Sequence, residues 1–251
     1  MQVHNILLLS LVCMTWGSAI SWFPGNYHFD PRIHTFGNHG LLGKFHAKVA
    51  PYFTKMIDIS VYGKDVRQDA FNKYDGKDIL DFGCGTGFST AESMGSVGID
   101  TSKEMIEEAV KLFPMKTFEY GHAEYYDPEK SFDVVTAMFL MHEVPQFARK
   151  RIVNNACSIA SETVVIVDIA PEYKPSKLML AGEPYLPDYL KNIRDDLGDF
   201  KEEVIVPGHV HMWTKEVTKE LENEESKNQK KINDYYPKRE VDDRGVPKID
   251  F

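Results

Sequence analysis

At 251 residues the chain has room for one α/β domain with extensions, not for two full domains. Its 43% apolar and 27% charged residues are those of a folded globular protein, and a net charge of -9 without a dense basic stripe excludes a nucleic-acid binder. Three cysteines, Cys13, Cys84 and Cys157, are too few for a secreted domain stapled by disulfides.

In chain order, residues 6–14 ("ILLLSLVCM") form an apolar run too short to cross a bilayer. With the small residues "GSAIS" behind it, the run fits the core of a secretory signal peptide cut near Ala19 or Ser21. A strand or helix of the core is the alternative. Residues 1–21 are therefore expected to be a signal or targeting peptide, with no stable membrane span after its removal and the secretory pathway or the cell exterior as location. "SAISWFP" (18–24) also resembles the aromatic-after-cleavage signal of algae with complex plastids, which implies a plastid; the cytoplasm is the remaining option.

Residues 22–74 read as an N-terminal lead-in and helical cap. Up to residue 45 the chain is irregular and rich in Gly, Pro, His and aromatics. Residues 43–59 have apolar residues at helical spacing, with Pro51 near a helix start or kink, and 60–74 read as a second helix. Short apolar runs then alternate with helical stretches. Strands are expected at 78–82, 96–100, 116–120, 132–139 and 163–169, and helices at 102–113 and 145–160. The Pro-rich stretch 170–189 reads as an inserted cap, 186–197 as a helix, and 200–217 as two strands turning at Pro207-Gly208. The charged segment 218–251 is expected to be a disordered tail. Residues 75–217 thus predict a doubly wound, mostly parallel seven-stranded α/β sheet with a C-terminal antiparallel hairpin.

The informative stretch is "ILDFGCGTG" (79–87), a buried-type strand that breaks into three glycines and precedes a helix. Glycine permits a sharp turn and lets a ligand approach the backbone. The dinucleotide fingerprint G-x-G-x-x-G would place its third glycine at Phe88; the chain has Gly83, Gly85 and Gly87 instead. That spacing disfavours a pyrophosphate and suits a ligand whose adenosine and amino-acid parts lie across the loop. Asp100 ends the second strand, where a carboxylate can accept both ribose hydroxyls. "FDVVTAMFLMHEVP" (132–145) ends a strand at the switch point of the sheet, where open α/β folds bind ligands.

On these motifs the chain resembles the class I S-adenosylmethionine-dependent methyltransferases, well over residues 75–170 and in outline over 43–74 and 185–217. The resemblance implies a Rossmann-like fold, S-adenosyl-L-methionine as cofactor, and donor contacts from Asp81, Gly83, Cys84, Gly85, Gly87, Asp100, Thr101, Ala123 and Met138. "GHAEYYD" (121–127) is similar to the segment that frames the adenine, with the Ala123 N–H toward the ring; the family usually has Asp where this chain has His122. Asp81 could instead cap the turn. The Asn/Asp-Pro-Pro-Tyr/Phe signature of amino-directed enzymes is replaced by "AMFL" (137–140), and Pro-Gly-Gly before the fifth strand by "SIASET" (158–163).

The implied activity is methyl transfer to a small molecule, a lipophilic one being compatible with the apolar cap, and an O-, C- or S-acceptor is preferred. The donor's sulfonium is already an activated electrophile, so the protein chiefly aligns the reactants and excludes water. A base is needed only if the acceptor must lose a proton. His142 is the candidate for it, against a histidine that only packs and hydrogen-bonds in its turn. Tyr173, Glu183 and Tyr185 in the cap are candidate acceptor contacts, against simple packing. His209 and His211 lie two apart on a strand but lack an acidic or cysteine partner, so no metal is expected. Two other classes stay open: a non-catalytic donor-binding protein, and a nicotinamide-dependent oxidoreductase. The oligomeric state is not legible.

Overall fold

The computed structural model describes residues 24–30, 32–35 and 37–217. The expected signal peptide and charged tail lie outside the described residues. Among those described, no helix is long and apolar enough to cross a membrane.

Seven strands form one sheet in the order β3-β2-β1-β4-β5-β7-β6. They are β1 (Ile79–Phe82), β2 (Val97–Asp100), β3 (Thr117–Tyr120), β4 (Phe132–Met138), β5 (Ala160–Ile169), β6 (Lys201–Val206) and β7 (Val210–Glu216). β1 to β5 pair in parallel, whereas β7 runs antiparallel between β5 and β6. The expected sheet and C-terminal hairpin are present, turning at Gly208 with φ +71. β4 and β5 are apolar almost throughout because helices or turns cover both their faces.

The helices are α1 (Gly40–Ile57), α2 (Val66–Asn72), α3 (Lys103–Leu112), α4 (Gln146–Ile159), α5 (Lys177–Gly182) and α6 (Leu186–Asp196). One face of the sheet packs Leu80, Phe82, Val135 and Ile166 against Ile152 and Ala156 of α4 and Tyr189 and Ile193 of α6. Arg149 ties these two helices together: fully buried, it donates to Asp196 at 2.8 Å, Asp188 at 2.6 Å and the Val144 carbonyl at 2.9 Å. The other face packs Ile79, Val134, Met138 and Val165 against Ala70 of α2. α1 lies on α3.

Four expectations are corrected. No helix follows the glycine loop: residues 83–96 return to β2 as turns and bends alone. Its five-residue glycine segment is followed by "FSTAESMGS", whose hydroxyls compete for backbone hydrogen bonds. Pro51 does not start a helix: it lies inside α1 on its buried side, the position at which the sequence allows only a kink. The second helix shrinks to α2, because α1 runs into a π-turn (Asp58–Tyr62) that Gly63 stops in a left-handed conformation. β5 starts at Ala160, where the predicted helix ended.

Candidate functional site

The glycine loop is held from below by the Ile99 carbonyl, which accepts from the amides of both Gly83 and Cys84 at 2.9 Å. Gly85, at φ +51, donates its amide to Asp100 Oδ2 at 2.9 Å, and a Cβ there would meet nothing within 4 Å. Space above the loop is therefore open beside the carboxylate. Gly87, at φ +90, serves packing: its Cβ would stand 2.7 Å from the Phe118 ring. Cys84 is buried beneath the loop, its Sγ 3.8 Å from the Gly85 carbonyl, and burial raises its thiol pKa well above the ordinary value.

Asp81 takes the turn-capping role. It is fully buried and off the crevice wall. Ser89 and Thr90 donate to its Oδ2 at 2.8 and 2.9 Å, and Thr136, its cross-strand neighbour, donates to Oδ1 at 2.9 Å. Burial lifts its pKa to about 7 against these three hydroxyls. Those bonds fasten the helix-less crossover to the sheet. Met138 is likewise no crevice residue: it faces the Val165–Met212 side of the core, and Leu140, two residues on, reaches the crevice.

The crevice opens at the carboxyl ends of β1, β2 and β4. Gly83, Asp100, Thr101 and Ala123 line it, joined by His122, Leu140 and Glu143. Asp100 is held by the amides of Gly85 and of Ser102 (2.8 Å to Oδ1), and burial raises its pKa to about 6 against those bonds. The outer wall comes from the lead-in, through Tyr27, His28, Ile33 and Asn38. Sequence reasoning missed these residues. The concentration of histidine and aromatics in 27–46 was the available signal. Tyr27 donates to Glu124 at 2.8 Å, and the Asn38 carbonyl accepts from Ser102 Oγ at 2.6 Å, so the lead-in is fastened at both ends of the crevice. The imidazoles here stay neutral: burial, then the neighbouring imidazoles His122 and His39, pull His28 down to about 3, and burial lowers His122 as well.

At the rim, His34 joins three segments. Its Nε2 lies 2.9 Å from Glu143 and its Nδ1 3.0 Å from Glu183. Burial opposes its charge, but the two carboxylates raise its pKa well above the ordinary value. His34 itself sits at φ +52, a left-handed backbone uncommon for a residue with a side chain. Glu183 Oε2 is buried without a hydrogen-bond partner among the described residues. His142 is anchored by Asp168 of β5, with Nδ1 2.6 Å from Oδ1. Burial lowers its pKa, yet Asp168 and then Glu183 and Glu143 raise it to about 9. These carboxylates favour the charged imidazole, which Asp168 holds in place. Tyr185 donates to Asp30 at 3.3 Å, on the seam between lead-in and cap. Tyr173 stands apart, packed on His209 with ring centroids 5.6 Å apart. His209 lies in the turn and His211 in β7, where Glu202 holds its Nδ1 at 2.6 Å, so the two do not pair.

An open, mostly parallel sheet with one antiparallel strand places this crevice, with its acid at the end of β2, where open α/β folds bind their ligands. Residues 79–163 match a family model described as a methyltransferase domain. No curated protein matches the chain by sequence. Similar solved structures include magnesium protoporphyrin IX methyltransferase from Synechocystis PCC 6803 with bound SAH, at 15% identity and TM-score 0.44, covering 77% of this chain and 95% of that one. A TehB-like SAM-dependent methyltransferase from Corynebacterium glutamicum aligns at 16% identity and TM-score 0.47, covering 69% and 99%. A SAM-dependent methyltransferase from Thermotoga maritima aligns at 14% and 0.48, covering 69% and 98%. These scores are too low to carry a substrate across.

Proposed function

We propose that the chain transfers a methyl group from S-adenosyl-L-methionine to a small molecule that enters between the lead-in and the cap. The observation that carries this reading is the pairing of Asp100 with Gly85: a half-buried carboxylate on the crevice wall, locked by a loop amide, at a glycine whose Cβ position is open. Asp100 would hold the ribose, Ala123 and His122 the adenine, and Gly83 and Gly85 the amino-acid end. When bound, the donor supplies an activated methyl on sulfonium. Tyr27, His28, Ile33 and Asn38 exclude water from it. Glu183 Oε2 is the acceptor-side group best placed to hold a donor hydrogen of the methyl acceptor.

The dinucleotide reading loses support here. A pyrophosphate needs a helix N-terminus behind the glycine loop, and residues 83–96 contain no helix.

The test is calorimetric titration with S-adenosylmethionine, its demethylated product and NAD, for wild type and Asp100→Ala. Micromolar binding of the first two, weakened at least ten- to a hundred-fold in the variant by loss of charged hydrogen bonds, is expected. Affinity should also fall as pH drops through about 6, where Asp100 takes a proton. Absence of binding sinks the reading. Binding without product release against an acceptor panel leaves a non-catalytic donor binder.

A further inference from the structure

α1 is turned inside out relative to an ordinary surface helix. Its domain side is made of its small or ring-closed residues Gly43, Ala47 and Pro51, at i, i+4 and i+8. Gly43 sits so close that a Cβ would come within 2.5 Å of the Asn38 backbone. The large apolar residues point the other way. Leu41 is 86% exposed, Tyr52 77% and, in the following π-turn, Ile59 76%, and Leu42, Phe53 and Met56 are also exposed. A helix in a water-soluble surface normally shows the reverse pattern, and a contiguous exposed apolar face marks an interaction site.

The charges along this face select the partner. At 100° per residue, Lys44, Lys48 and Lys55 fall together along one flank of the apolar ridge, and all three are exposed. α1 contains no Asp or Glu, in a chain whose net charge is -9. A second copy docking through the same face would bring two lysine rows together with no acid on α1 to meet them. A lipid surface with anionic headgroups meets both features at once: acyl chains take the ridge, and headgroup phosphates and carboxylates take the lysines as they snorkel.

We propose that α1 is a membrane-surface docking helix that lies in the interface of an anionic phospholipid bilayer. Its 18 residues span about 27 Å along the helix axis. The helix lies in the plane of the interface and does not cross.

The experiment is co-flotation of the full chain with vesicles of phosphatidylcholine alone or with added phosphatidylserine. Two variants accompany it, Lys44→Gln/Lys48→Gln/Lys55→Gln and Tyr52→Ser/Phe53→Ser/Met56→Ser. Wild type is expected to float with the anionic vesicles. The lysine variant should lose affinity by about five-fold per lysine, on the order of a hundred-fold in all, and high salt should mimic it. The apolar variant should lose binding by at least as much, with an unchanged circular dichroism spectrum. A Tyr52→Trp variant should be quenched by lipids brominated in the acyl chain. The proposal is overturned if wild type does not bind, if neutral vesicles bind equally well, or if both variants bind like wild type, since another segment would then be responsible. It is overturned equally if the apolar variant instead abolishes self-association in sedimentation velocity.

Discussion

The first two crossovers of the sheet do the same topological task by different means. Residues 101–116 join β2 to β3 through α3, a run of strong helix formers whose N-cap, Ser102, accepts from the Met105 amide at 3.2 Å. Residues 83–96 join β1 to β2 with no helix at all. There a buried carboxylate with three hydroxyl donors substitutes for the helix, assisted by Lys116, which donates to the carbonyls of Gly87 at 3.3 Å and Thr90 at 2.7 Å. A local backbone ladder and a long-range side-chain knot can thus close the same connection. The knot, however, concentrates its stability in one residue.

The sharpest way to break that comparison is at Asp81. Asp81→Ala leaves three buried hydroxyls without their acceptor and should cost about 3 kcal/mol or more in denaturant unfolding. Asp81→Asn should stay within about 1 kcal/mol of wild type at pH 5, where the native carboxyl is mostly protonated. The sign at higher pH follows from linkage. The folded pKa of about 7 lies above the ordinary 3.8, so the contribution is whole below 3.8 and lost as pH rises through 7. The loss is at most about 4 kcal/mol, and Asp81→Asn should therefore gain on wild type between pH 5 and 8. A variant that instead loses ground over that range would show that the ionised carboxylate is the stabilising form.

His142 sharpens the comparison from a second site. Its folded pKa of about 9 lies above the ordinary 6.5, so its contribution is complete below pH 6.5 and disappears as pH rises through 9. Wild type should lose up to about 3 kcal/mol over that window, and His142→Asn should flatten the alkaline part of the stability curve, its deficit against wild type being largest below pH 6.5 and closing as pH rises through 9. The smallest expected effect is at the helical crossover. Ser102→Ala removes one cap and one bond to the lead-in, so it should lower stability by only about 1 kcal/mol. Hydrogen exchange should quicken locally at the start of α3 and near Asn38. A global loss as large as that of Asp81→Ala would erase the distinction between the two crossovers.

Much of the domain was readable in advance because its signals are local. The strands β1, β2, β4 and β5 are largely apolar runs bounded by turn residues, β3 alternates, and α3 and α4 have helical periodicity. Asp100 was readable because a carboxylate ending the second strand of such a sheet lands at the crevice whatever else the chain does. Asp81 was ambiguous for the opposite reason: its role depends on Ser89, Thr90 and Thr136, and the last of these is adjacent only through strand register. His142 was expected on the rim, but it is buried and held by Asp168, 26 residues away.

The sequence by itself determined the sheet, its hairpin and the acid at the end of β2, since these follow from hydrophobic period and turn chemistry over short spans. Only the tertiary structure decided that the lead-in walls the crevice, that His34 links it to Glu143 and Glu183, and that α1 shows its large apolar residues outward. Periodicity announces a helix and its stripes, but which stripe is buried depends on what the rest of the chain brings against it. On α1 the buried stripe is Gly43, Ala47 and Pro51, and at Gly43 the chain that enters the helix passes so close that a Cβ would meet the Asn38 backbone.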